Sequence, residues 1–100
     1  MLNNFGLDKK TTDLIINYFK QISDIEKVKI FGSRAQNTYR SGSDIDFAIW
    51  FNKNDVLSKV TFELNELPLP YKFDIIDYNN TSNIAIKENI DKTGIIFYKK

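Results

Sequence analysis

The 100-residue chain contains no cysteine and no histidine. Without cysteine there is no disulfide, no thiolate nucleophile and no zinc–sulfur site. Without histidine the commonest general base, the Ser-His-Asp triad and imidazole metal ligation all drop out. Acid–base or metal chemistry must then come from Asp, Glu, Lys, Tyr or Ser, and such oxygen ligands suit hard cations like Mg²⁺. Glycine (4) and proline (2) are scarce, and no linker, repeat or low-complexity tract divides the sequence. No apolar run approaches the ~20 residues of a membrane span and no charged-then-apolar leader is present, so a cytoplasmic protein is expected. Net charge is +1, from 14 Lys+Arg against 13 Asp+Glu. No bulk field therefore favours a nucleic acid or an anionic membrane as partner. The 42% hydrophobic and 14% aromatic content suffices for one core, hence a single domain over residues 1–100.

Leu14, Ile15, Tyr18, Phe19 and Ile22 fall at helical spacing between Asp8 and Ile22, with Asp8 as the expected cap. Val28–Phe31 reads as a short strand ended by Gly32, followed by a polar turn or short helix and a loop from Ser33 to Ser43. Asp44–Phe51 is the clearest strand: Ile45, Phe47 and Ile49 take one face, Asp44, Asp46, Ala48 and Trp50 the other. Asn54 is the expected cap of a second helix running to about Glu66, with Leu57, Val60, Thr61 and Leu64 inward. Pro68 and Pro70 forbid its continuation. Tyr71–Tyr78 reads as a third strand, Ser82 as the cap of a short helix over Ile84–Ile90, and Ile95–Tyr98 as a final apolar run after Gly94. Trp50, Phe51 and the Ile95–Tyr98 run are either core or apolar surface left for a partner, with core the more usual fate of aromatics. Strands interleaved with helices predict an α/β (α+β) fold, a short mixed sheet with helices packed on one face.

Three features converge on chemistry. Gly32-Ser33 forms a turn leaving a strand, where glycine admits a close ligand and free N–H groups favour phosphate. Ser33 is not a covalent nucleophile, since no histidine exists to activate it. Asp44-Ile45-Asp46 places two carboxylates on one strand face, with Cα atoms roughly 6.5–7 Å apart. Asp is rare in strands and like charges repel, a local conflict that a divalent cation would relieve. On the third strand Asp74 and Asp77 point to opposite faces. If Phe73 and Ile75 are core, Asp74 shares the open face with Asp44 and Asp46, and Asp77 is left near the strand end, partly exposed or serving a turn. Three carboxylates from two strands suit two cations about 3.5–4 Å apart, an arrangement used for in-line nucleotidyl transfer. The only two arginines, Arg34 and Arg40, lie between Gly32 and Asp44, a placement that suits triphosphate binding. For Arg40, neutralising the loop is an equal alternative.

Gly32-Ser33, ten intervening residues, Asp44-x-Asp46 and a later carboxylate flanked by apolar residues together resemble the DNA polymerase β superfamily of nucleotidyltransferases. The run Gly32-Ser33-Arg34-Ala35 through Ser43-Asp44-Ile45-Asp46-Phe47-Ala48-Ile49 is most similar to its minimal nucleotidyltransferase (MNT) branch, and the resemblance spans nearly the whole chain. It implies a nucleotidyltransferase fold, Gly32 and Ser33 on the nucleotide phosphates, Asp44 and Asp46 as ligands of Mg²⁺, Asp74 as the third acid, and ATP as substrate. One departure stands at Asn37, where the family often has a second glycine; asparagine tolerates a left-handed backbone better than most residues. The resemblance further implies an antitoxin that transfers AMP from ATP to a tyrosine of a helical HEPN toxin, an RNase whose active site needs a histidine this chain lacks. The alternatives are a nucleotide-binding or masking subunit of a helical partner, and transfer to a small molecule, for which 100 residues leave little acceptor-binding structure.

Overall fold

The computed structural model describes residues 3–100. Helix α1 (Lys9–Lys20) begins where Asp8 accepts a hydrogen bond from the Thr11 amide at 2.8 Å. Its buried stripe is Thr11, Ile15 and Phe19, spaced by four, as one face of a 3.6-residue repeat demands. Strands β1 (Ile25–Phe31) and β2 (Ile45–Phe51) pair antiparallel, β3 (Phe73–Asp77) adds parallel to β2, and β4 (Ile95–Lys99) adds antiparallel to β1. The sheet order is β3-β2-β1-β4. The parallel β2/β3 pair requires a crossover, supplied by α2 (Leu57–Asn65). Helix α3 (Ile84–Thr93) connects β3 to the edge strand β4.

Alternation along the strands divides the sheet into two faces. One carries Val28, Ile30, Ile45, Phe47, Ile49 and Phe73 against Ile15 and Phe19 of α1 and Val60 and Leu64 of α2. Phe19 sits edge-on to Phe47 with ring centres 5.4 Å apart. The Tyr18 hydroxyl donates to Glu63 Oε1 at 2.7 Å, tying α1 to α2. The expectation of helices on one face describes α1 and α2; α3 instead sets Ile90 against Phe31 and Ala48 on the other face. That second face also bears Asp46 and Asp74.

Several local expectations shift by a few residues. β1 starts at Ile25 rather than Val28, because Ile25 and Lys27 find partners in Phe51 and Trp50. α2 starts at Leu57 with Val56 at its cap position and no side-chain cap; Asn54 Oδ1 instead accepts from the Asn80 side-chain Nδ2 at 3.3 Å. Asn83, not Ser82, caps α3, accepting from the Ile86 amide at 3.0 Å, and that helix continues past Ile90 to Thr93. Phe51 is buried, Phe97 and Tyr98 pack on the core, and Trp50 stacks on Tyr78 with centroids 4.3 Å apart. Ile95 and Ile96 remain 44% and 47% exposed. Among the described residues, no helix is long and apolar enough to cross a membrane.

Candidate active site

The parallel register of β2 and β3 sets Asp46 directly beside Asp74, and Asp77 beside Ile49. Since adjacent strands run about 4.8 Å apart, the two carboxyl groups share one patch of the open face. Asp44 stands two residues upstream, just before β2 begins. The electrostatic consequence falls on the half-buried Asp46, whose carboxyl is pushed up to about 6 from 3.8. Burial is the largest cause, followed by the charges of Asp74 and Asp44, with Arg34 opposing them. A site that raises the cost of its own negative charge is one that a cation would relieve.

The donors are all carboxylate oxygens, so the chemistry of the set fits a hard cation such as Mg²⁺. Among the described residues, no three acidic side chains gather closely enough to hold an ion alone.

Gly32 closes the site from β1. Phe31 pairs with Asp46 across the antiparallel ladder, and Gly32 then turns with φ of +73°. A Cβ built at Gly32 would lie 2.5 Å from Asp46 Oδ2, so the turn approaches the carboxylate as closely as only glycine permits. The turn is a single helical one, with the Gln36 amide donating to the Gly32 carbonyl at 3.1 Å and the Thr38 amide to the Ser33 carbonyl at 2.9 Å. Asn37 takes the left-handed backbone, φ +60°, that its place in the motif demands. Ser33 is half-buried beside Gly32.

The two arginines part company. Arg40 is exposed on the loop, where its backbone amide donates to Ser43 Oγ at 2.8 Å. Arg34, expected at the nucleotide phosphates, is instead 1% exposed, with its guanidinium spent on backbone carbonyls. A group so enclosed offers no face to a triphosphate. Asn65, which carried no signal in the sequence, ends α2 by accepting from the Phe73 amide at 3.0 Å and donating to the Phe73 carbonyl at 3.3 Å. It thereby pins the start of β3 one residue before Asp74.

Asp77 is 7% exposed, more buried than a strand-end position suggests. Its Oδ2 accepts from Asn80 Nδ2 at 2.8 Å, while among the described residues Oδ1 has no hydrogen-bond partner. It lines a cavity of about 610 Å³ with Asn54, Asp55, Ser58 and Asn80. That cavity lies at the opposite end of β3 from Asp74 and holds none of Asp44, Asp46 or Asp74.

Comparison with known proteins follows the same residues. Positions 13–100 match the family described as polymerase beta, nucleotidyltransferase. No curated protein matches the chain. Among solved structures, a toxin–antitoxin with AMP-PNP superposes with a TM-score of 0.69 at 19% identity, over 93% of this chain and 75% of that one. The toxin–antitoxin MntA–HepT gives 0.66 at 18% identity over 93% and 74%. The tri-AMPylated Shewanella oneidensis HEPN toxin in complex with MNT antitoxin gives 0.65 at 18% over 92% and 72%. At these identities the likeness is one of fold.

Proposed function

The chain belongs to the polymerase beta nucleotidyltransferase family, and from that premise we propose that it transfers AMP from ATP to a tyrosine hydroxyl of a HEPN-type toxin, acting in the cytoplasm as the antitoxin. The observation that carries this reading is the Asp46–Asp74 pair, in register on one face beside the left-handed Gly32 turn. The named structures that share the fold, one of them an AMPylated HEPN toxin with its MNT antitoxin, support the choice of nucleotide and partner. So does the exposure of Asp74, which an acceptor can reach.

Gly32 and Ser33 would hold the phosphates, with Arg40 the exposed cation on the same loop. Mg²⁺ bound through Asp44, Asp46 and Asp74 would neutralise the triphosphate and the charge developing at the α-phosphorus. The acceptor oxygen forms its bond to the α-phosphorus as the bond to pyrophosphate breaks. The hydroxyl proton passes to the carboxylate of Asp74, which is exposed on the site face. The products are an AMP ester and pyrophosphate.

The test is co-expression with the helical partner and mass measurement of that partner. Wild type should add whole AMP units and protect the cell, whereas Asp44→Ala/Asp46→Ala should bind the partner, leave its mass unchanged and fail to protect. Protection by the double variant, with the partner never modified, would make this a masking protein instead.

The two acids of β3 should separate in the same assay. Asp74→Asn is expected to lose transfer by at least about a hundredfold. Asp77→Asn should stay within about threefold of wild type, because Asp77 lies beside Ile49, on the opposite face of the sheet from Asp46 and Asp74. Loss of transfer in Asp77→Asn alone would show that the wrong end of β3 has been given the chemistry.

A further inference from the structure

We propose that Arg34 is the positioning residue of this site: a buried clasp that sets where Asp44, Asp46 and Asp74 stand. Its kinetic arm rests on the function proposed above; its structural arm does not.

Arg34 is among the largest fully buried side chains of the chain. A buried guanidinium is costly unless its N–H groups are paired. Among the described residues no carboxylate takes them. Nε and Nη2 both donate to the Ser43 carbonyl, at 3.2 and 2.9 Å, and Nη1 donates to the Phe5 carbonyl at 2.8 Å. The rings of Tyr39 and Tyr71 lie 5.2 and 4.9 Å from the guanidinium carbon, within the range of cation–π attraction.

Each partner sits next to a part of the site. Ser43 directly precedes Asp44, Tyr71 stands three residues before Asp74, and Arg34 itself follows Gly32-Ser33. One planar cation thus joins the glycine turn, the entry to β2 and the approach to β3. The N-terminal segment completes the arrangement: Gly6, with φ of +73°, lies against the Tyr39 ring so closely that a Cβ would collide with it. This backs the ring onto the guanidinium. A lysine has no fork to serve two carbonyls and no plane to present to two rings, so it should not replace Arg34.

The experiment compares Arg34→Lys with wild type by amide hydrogen exchange and by steady-state kinetics with ATP. The reporting amides are Ser43, bonded to the Arg40 carbonyl, and Ile45, bonded to the Lys72 carbonyl. Both should exchange at least about tenfold faster in the variant, while α1 amides keep their wild-type rates. The kcat should fall at least about tenfold with KM for ATP within about threefold, as expected when reacting groups are misplaced but the nucleotide is still held. Should Arg34→Lys fail to fold, Tyr71→Leu removes one wall of the clasp and is measured in the same way. Unchanged exchange at Ser43 and Ile45, or acceleration shared equally by α1, would overturn the proposal. So would a tenfold rise in KM at constant kcat, which would mean that the guanidinium touches phosphate. If wild type transfers nothing to any acceptor, the functional reading fails, and the exchange data still decide the role of Arg34.

Discussion

Asp46→Asn is expected to lower transfer by roughly 10³-fold, about 4 kcal/mol of transition-state stabilisation, while making the metal-free protein more stable near neutral pH. The loss follows from removing one of the charges on which the divalent cation depends. The stabilisation follows from the carboxyl's environment. Asp46 titrates at about 6 in the folded protein against 3.8 as the ordinary value, so the folded state binds its proton more tightly than the unfolded state. Between these values folding takes up protons, and stability falls as pH rises. The contribution of Asp46 is fully present below about pH 3.8 and gone above about pH 6. Asn is neutral throughout, so the variant and wild type should agree near pH 4 and diverge by about 1 kcal/mol above pH 6. That figure is well below the full shift, because Asp46 is only half-buried and solvent screens it. Denaturant melts across this window, without divalent metal, test the account. A pH-independent difference would remove the electrostatic explanation, and wild-type transfer would remove the site.

The acids repel each other, and that repulsion was legible before the fold because it follows from two-residue alternation. Ile45, Phe47 and Ile49 must be core, so Asp46 must face away from them; Phe73 and Ile75 impose the same choice on Asp74. Asp8 was equally legible, since a cap bonds an amide only three residues on. What escaped depends on residues far apart in the chain. Asn54 looks like a cap, yet its side-chain oxygen takes the side-chain Nδ2 of Asn80, 26 positions later. Ile25, Glu26 and Lys27 carry no alternation of their own and become strand because Phe51, Trp50 and Lys99 lie beside them. Arg34 shows the limit most clearly. A charged residue in a polar loop reads as solvent-facing or phosphate-facing, and only the meeting of Phe5, Tyr39, Ser43 and Tyr71 makes a buried berth for it.

Gly32→Ala should damage both stability and transfer. Two costs add. Alanine at φ of +73° is left-handed, a penalty of about 1–2 kcal/mol wherever it occurs. The new methyl also falls 2.5 Å from Asp46 Oδ2, so the carboxylate must swing away from its place beside Asp74. Displacement of roughly 1 Å at a reacting centre costs on the order of a hundredfold in rate, and transfer should fall by at least that much. A double-mutant cycle separates the two effects. In an Asp46→Ala background the carboxylate is gone, and the nearest remaining Asp46 atom, Cβ at 3.6 Å, is in ordinary contact. Read on stability by denaturant melts, Gly32→Ala should there cost only the backbone term, leaving a coupling of about 1 kcal/mol between the positions. Strict additivity would mean that the turn and the carboxylate are independent; Gly32 would then serve only to reverse the chain, and its approach to Asp46 would have no part in holding the acid in place.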